Sequence, residues 1–195
     1  METLLNIIDR LMGPGGCPWD QNQTLAGLRE DLLEESCEVI DAVDTYEAAE
    51  ITEELGDLLF IALFMTRVAE KEGKGSLQEI LEGICSKVIR RHPHIFEEAK
   101  TLTEKEVLEQ WDLLKEKEKG KQDPFARIPK ALPALSRGVE VIKVLEKQGA
   151  STPNASSEDP EEQLGWELFS LVQEAHKNKL NPEQALRQVL AKLAK

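Results

Sequence analysis

Glu35 and Glu38 stand three residues apart, and so do Glu54 and Asp57. In a helix a three-residue step turns the chain by about 300°, so each pair shares a face and can grip one object between its members. On two neighbouring helices the pairs would present four oxygen donors to a hard divalent cation. Carboxylates alone select Mg²⁺, with Mn²⁺ as a substitute, over Zn²⁺ or copper. Mg²⁺ keeps several waters and shares its shell with substrate phosphates, so a cage of this kind implies a phosphorylated substrate.

The second pair carries the stronger signal. With Glu54 as origin on a wheel of roughly 100° per residue, Ile51, Leu55, Leu58, Ile61, Ala62 and Met65 fall within about 100° of it, and Asp57 lies about 60° away between Phe64 and Val68. Both acids therefore interrupt an apolar stripe and are expected to face packed side chains. An unpaired carboxylate there costs several kcal/mol, by order of magnitude, unless a cation or proton compensates it. Glu34 and Asp41, taken alone, read as part of a solvated acidic face.

A cationic counterpart follows further along. Lys87, Arg90, Arg91 and His94 share a face at helical spacing. Such a cluster can hold the outer phosphates of a nucleotide while metal holds the reacting ones. It also fits the ordinary preference of Lys and Arg for helix C-termini. His92 and His94 flank Pro93 and are not spaced to share a metal. Trp19, on a Gly/Pro-rich loop, suits either stacking on a base or plugging one end of a bundle.

Helices must position these groups. A first helix runs to about Leu11 and stops at Gly13, Pro14, Gly15 and Gly16. The loop continues to about Thr24 and lacks the Gly-Lys-Ser/Thr ending of a phosphate-cradling P-loop. A second helix is expected from about Leu25 to Val43 and a third from Ala48 to Glu72, ending at Gly73 and Gly75. Ser76 with Glu79, and Thr103 with Glu106, form capping boxes that open a fourth helix to Arg91 and a fifth ending in the charged run Lys115 to Lys121. The spacing thus predicts five helices in a module over residues 1–122. A Pro-containing linker follows over 123–133, with Pro124, Pro129 and Pro133. The remainder, 134–195, holds a short helix to about Lys147, a flexible stretch at 149–160 and two last helices.

That remainder echoes the acid-bearing helix. Leu55, Gly56, Leu59 and Phe60 recur as Leu164, Gly165, Leu168 and Phe169, each displaced by 109 residues. Gln163 stands in the place of Glu54 and Trp166 in that of Asp57. The second copy is shortened, has lost its acids and should not bind metal.

Composition agrees with an all-α fold. The 195 residues are 41% hydrophobic, with one tyrosine, five phenylalanines and long stretches of Leu, Ala, Glu and Lys. The net charge of −13 argues against nucleic-acid polymers and anionic membrane surfaces. Cys17, Cys37 and Cys85 show no metal or disulfide spacing and suit reduced thiols in the cytoplasm. The longest apolar run, Leu58 to Met65, is too short to cross a bilayer.

Glu34, Glu35, Ser36, Cys37 and Glu38, followed by Glu54, Leu55, Gly56 and Asp57, resemble the E-E-x-x-E then E-x-x-D signature of the MazG nucleoside triphosphate pyrophosphohydrolases. Cys17-Pro18-Trp19-Asp20 and Arg90-Arg91-His92-Pro93-His94 are similar to other stretches of that family. The resemblance covers about residues 1–135. It implies an all-α bundle whose core is completed by dimerisation, and Mg²⁺-dependent cleavage of nucleoside triphosphates to monophosphate and pyrophosphate. By the same resemblance Glu35, Glu38, Glu54 and Asp57 would ligate the metal. Glu34, with Glu35 and Glu38, would serve the attack of water, and Trp19, Lys87, Arg90 and Arg91 would meet the substrate.

Two rivals stand beside this reading. A carboxylate-bridged di-iron bundle needs Glu-x-x-His pairs, and none of His92, His94 or His176 has a Glu three residues before it. A non-catalytic acidic helical adaptor, in which the first module is as inert as the second, is the alternative to catalysis. Dimerisation also has a physical motive, since helices two and three expose wide apolar arcs for a module this small.

Overall fold

In the computed structural model, residues 1–45, 47–97, 100–120, 123–150 and 156–194 are described. They form ten α-helices and one 3-10 turn, with no strand among them. The helices are α1 (Glu2–Met12), α2 (Pro18–Gln21), α3 (Arg29–Thr45), α4 (Ala48–Lys71), α5 (Leu77–Arg91), α6 (Pro93–Phe96), α7 (Glu104–Lys119), α8 (Ala134–Lys147), α9 (Pro160–Lys177) and α10 (Pro182–Leu193). The chain divides into two compact units, Met1–Trp111 and Asp112–Lys195.

Most helix boundaries follow the sequence signals. Ser76 and Glu79 close a reciprocal capping box on α5, and Thr103 with Glu106 makes the same contacts ahead of α7. Two short helices were missed. α2 starts at Pro18 and α6 at Pro93, both using a proline whose fixed φ suits the first helical turn. α3 begins at Arg29 rather than Leu25, because Thr24 to Leu28 forms turns in which the Thr24 hydroxyl accepts from the Gly27 amide. Of the stretch expected to be flexible, 151–155 lie outside the described residues, and Asp159 caps α9 through the Glu161 amide.

The core of the first unit gathers at one end of the α3–α4 hairpin. Ile8 of α1, Leu28, and Ile61, Leu63, Phe64 and Val68 of α4 are buried together, with Leu4, Leu5, Leu32 and Leu77 against them. Removing side chains like Phe64 and Val68 from water is worth roughly 1.5–3 kcal/mol each. The loop before α3 is tied down at this same end. Lys71 Nζ donates to the Gln21 carbonyl at 2.5 Å, and the Leu25 amide donates to Glu72 Oε1 at 3.0 Å. Gly16 is required there: a Cβ would lie 2.1 Å from the Leu11 carbonyl oxygen.

The second unit packs α8, α9 and α10 together around Ile142 and Val172. Gly138 of α8 lets α9 approach closely, since a Cβ there would sit 3.2 Å from a Val172 methyl.

Candidate metal centre

Leu28 just before α3 and Leu32, Glu35, Val39 and Ala42 on it recur at steps of four and three, and all are at least half-buried. On α4 the same rhythm joins Ile51, Glu54, Leu58, Ile61, Met65 and Val68. Only Tyr46 and Glu47 separate the two helices, so the hairpin turns these stripes toward each other and brings Glu35 and Glu54 face to face. Glu38, one turn from Glu35, joins them. One carboxylate oxygen from each of Glu35, Glu38 and Glu54 lies within 4.8 Å of the others. Glu35 Oε2 is buried and has no hydrogen-bond partner.

The electrostatics follow from this crowding. Partial burial lifts the Glu35 carboxyl above its ordinary value of 4.5, and the charges of Asp57, Glu38, Glu54 and Glu34 lift it further. Glu54 is lifted in the same way, first by loss of solvent and then by Glu38, Glu53, Asp57 and Glu50. Glu50 and Glu53 were not singled out in the sequence, although the acidic run before Asp57 was there to be read. Glu50 also accepts from the Thr45 hydroxyl at 2.9 Å, clasping the hairpin beside the acids.

Asp57 is exposed and is not among the three that converge, although it is near enough to act on Glu35 and Glu54. The expected burial of this site needs correction. Glu35 and Glu54 are half-buried, Glu38 is exposed, and of the residues expected beside Glu54 in the interior Leu55 is 51% exposed and Ala62 is exposed as well. The reason is the position of the core. α1 and the segment before α3 join α4 in the core only from about Ile61 to Val68, so its N-terminal half has α3 packed on one side and Leu55 left open on the other.

The other candidates lie elsewhere. Glu34 is exposed on α3 next to the group. Trp19 is 59% exposed on α2, at the end of α4 marked by Lys71. Lys71 lies seventeen positions beyond Glu54, about 25 Å of helix at 1.5 Å per residue, so Trp19 does not meet the acids of its own chain. Lys87, Arg90 and Arg91 occupy the last part of α5, the first two exposed and Arg91 half-buried. Beyond them His92 packs edge-on against Trp111 with ring centres 5.0 Å apart, and His94 Nδ1 lies 3.1 Å from Gln110 Nε2. Neither histidine belongs to the carboxylate group.

The donor set fits a divalent cation. Three convergent carboxylates, one with a buried unpartnered oxygen, are the hard oxygen ligands that Mg²⁺ or Mn²⁺ takes. The class so defined is an all-α protein whose helical hairpin gathers carboxylates that could hold a metal between two helices.

Comparison with known proteins narrows the class. Residues 23–96 match the family model of the MazG nucleotide pyrophosphohydrolase domain. The nucleoside triphosphate pyrophosphohydrolase of Escherichia coli K12 is 38% identical over 73% of this chain and 56% of its own length. The nucleoside triphosphate pyrophosphohydrolase/pyrophosphatase MazG of Thermotoga maritima is 31% identical over 98% of this chain and 81% of its own. The crystal structure of a mazG-related protein from Thermotoga maritima superposes with a TM-score of 0.53 at 31% identity, covering 59% of this chain and 98% of that one. The chain belongs to the MazG family. It spans about half the length of several curated relatives it matches.

Proposed function

We propose that this chain hydrolyses nucleoside triphosphates, ribo or deoxy, to nucleoside monophosphate and pyrophosphate, as housekeeping of the cytoplasmic nucleotide pool. The observation that carries the reading is the convergence of Glu35, Glu38 and Glu54 with an orphaned oxygen at Glu35. The activity printed for the Escherichia coli and Thermotoga maritima relatives supports it.

Glu35, Glu38 and Glu54 would hold Mg²⁺, or Mn²⁺ in its place, with Asp57 entering the set when the ion is bound. The ion supplies Lewis acidity toward the phosphoryl oxygens and lowers the pKa of a coordinated water. Glu34, exposed at the rim, would orient and deprotonate the water that cleaves the α–β anhydride. Lys87, Arg90 and Arg91 would neutralise the departing pyrophosphate. Trp19 would stack on a base only if it came from a second copy, given its distance from the acids of its own chain.

A homodimer fits the same surface. Leu33, Ile40 and Val43 of α3 and Leu55 and Leu59 of α4 are between 43% and 62% exposed around the acids. Pairing would bury this apolar belt and complete the core over the open half of the hairpin. No helix among the described residues is long and apolar enough to cross a membrane.

The test is a panel of ribo- and deoxynucleoside triphosphates incubated with the full chain and Mg²⁺, with products resolved by phosphorus NMR. Pyrophosphate with monophosphate is expected. Orthophosphate, or no turnover with any member of the panel, would overturn the reading.

A further inference from the structure

α5 is held to the first unit at its root. Its residues Gln78 to Arg90 are all exposed, and the apolar side chains Ile80, Leu81, Ile84 and Val88 are between 41% and 47% exposed. Packing along its length therefore does not fix its direction. The link from α4 is soft, because Gly73 and Gly75 carry φ values of +67° and +145° that only glycine adopts readily.

What fixes the root is one carboxylate. Glu70 Oε1 accepts from the amide of Leu77, the first residue of α5, at 2.7 Å. Glu70 Oε2 is held by Arg67 Nη1 at 2.7 Å, and Arg67 in turn grips Asp9 of α1 through Nε at 2.8 Å and Nη2 at 3.0 Å. The Leu77 side chain packs on the core beside this chain of contacts. Glu70 is held below the ordinary carboxylate value, first by the Leu77 amide and then by Arg67, so it is ionised at neutral pH and meets the positive end of the α5 dipole.

We propose that Glu70 is a positioning residue for phosphate binding: by gripping the Leu77 amide it aims α5, and with it Lys87, Arg90 and Arg91. The proposal rests on the phosphate role given to those cations above. From Leu77 to Arg90 the helix runs about 20 Å, so a swing of about 10° at the root would displace the cations by about 3.5 Å. Displacements of that size break charge-assisted contacts to phosphate, whose working range is a few tenths of an ångström.

The experiment compares Glu70→Ala with Glu70→Gln in the full chain. Gln keeps an oxygen for the Leu77 amide, whereas Ala does not. Glu70→Ala should lower kcat/KM for the nucleoside triphosphate about tenfold, with Mn²⁺ affinity nearly unchanged, and Glu70→Gln should recover most of the loss. A second readout needs no turnover. Spin labels on the natural Cys85 of α5 and on Asn6→Cys of α1, with Cys17→Ser and Cys37→Ser, report the aim of α5 in samples diluted with unlabelled protein. Their distance distribution should broaden with Glu70→Ala and stay narrow with Glu70→Gln. The proposal is overturned if Glu70→Ala keeps either the wild-type distribution or the wild-type kcat/KM, if Gln is as damaging as Ala, or if Mn²⁺ affinity is lost along with kcat/KM. Absence of turnover in the unmodified chain would instead sink the hydrolase reading and leave the spin-label distances to decide on Glu70.

Discussion

Arg67 reaches from α4 to Asp9 on α1, and 109 residues later His176 reaches from α9 to Glu146 on α8 at 3.0 Å. The displacement is the one that relates Leu55, Gly56, Leu59 and Phe60 to Leu164, Gly165, Leu168 and Phe169. The two helices also end alike. The Lys74 amide bonds the Ala69 carbonyl at 2.8 Å, and the Leu180 amide bonds the Ala175 carbonyl at 2.8 Å, each closing a Schellman turn before a capped helix follows. α8, α9 and α10 thus share with α1, α4 and α5 an ion pair between the first two helices and a Schellman turn before the third.

Among its described residues the second unit has no counterpart of α3. Twelve residues, 148–159, separate α8 from α9, fewer than the seventeen of α3 itself. Without the opposite helix an acid on α9 would have no partner acids to share an ion with. The residues 109 positions beyond Glu54 and Asp57 have local partners instead. Gln163 bonds Glu167 and accepts from the Ser157 amide, while Trp166 donates to Glu162 and lies edge-on to Phe169. The difference teaches that the convergence of the carboxylates comes from the α3–α4 pairing and not from the three-helix arrangement that the units share.

The sharpest break of that comparison is chemical. Glu54→Gln removes one of three convergent charges, and we expect turnover to fall about a hundredfold or more with helicity retained by circular dichroism. The converse pair, Gln163→Glu with Trp166→Asp, places both acids on α9 and should add no Mn²⁺ site by titration, because among the described residues no acid-bearing helix like α3 faces them. A second Mn²⁺ equivalent bound by that variant would show that one helix suffices.

These two variants mark what was legible in the sequence. The acidic pairs stood out because side-chain type contradicted periodicity, and that contradiction is local. The capping boxes at Ser76 and Thr103 were readable for the same reason. The openness of the acid end was not, since exposure depends on where α1 lands on α4. Trp19 escaped as well: its loop is anchored by Lys71 to Gln21 and Glu72 to Leu25, contacts about fifty residues apart that no local pattern announces. The root of α5 is intermediate. Its capping box was evident, whereas the grip of Glu70 on Leu77 needs the actual turn between α4 and α5.

A smaller effect distinguishes the units by pH. Glu35 and Glu54 titrate above 4.5 in the fold, so their ionised forms disfavour it, and protonating them adds stability as the pH falls through their raised values. Glu70, Glu79 and Glu106 titrate below 4.5, so what they contribute is present above that value and is lost as the pH falls through their depressed values. Metal-free protein should therefore gain stability in a window just above 4.5 and lose it below. Hydrogen exchange should place the gain in α3 and α4 and leave α8 to α10 unaffected. Mn²⁺ affinity should weaken across the same window as protons compete for the carboxylates. A stability that falls monotonically from neutral pH would contradict the crowding of these acids.

The smallest effect concerns how the two frame helices stop. Gly73 follows the last turn of α4 with φ +67°, and Lys179 follows that of α9 with φ +58°. Glycine adopts this region freely, whereas a side chain there costs on the order of 1 kcal/mol. Lys179→Gly should stabilise the second unit by about 0.5–1 kcal/mol, seen as slower exchange of α9 and α10 amides and a higher denaturant midpoint. Gly73→Lys should destabilise the first unit by a similar amount, because a Cβ there meets open space and the strain is confined to the backbone. If Lys179→Gly is neutral or destabilising, the ammonium makes up for the strain, by interacting with the exposed carbonyls at the end of α9, a role that a cation at a helix C-terminus can fill. The pair of variants thus separates the turn that both units share from the side chain that only the second one placed there.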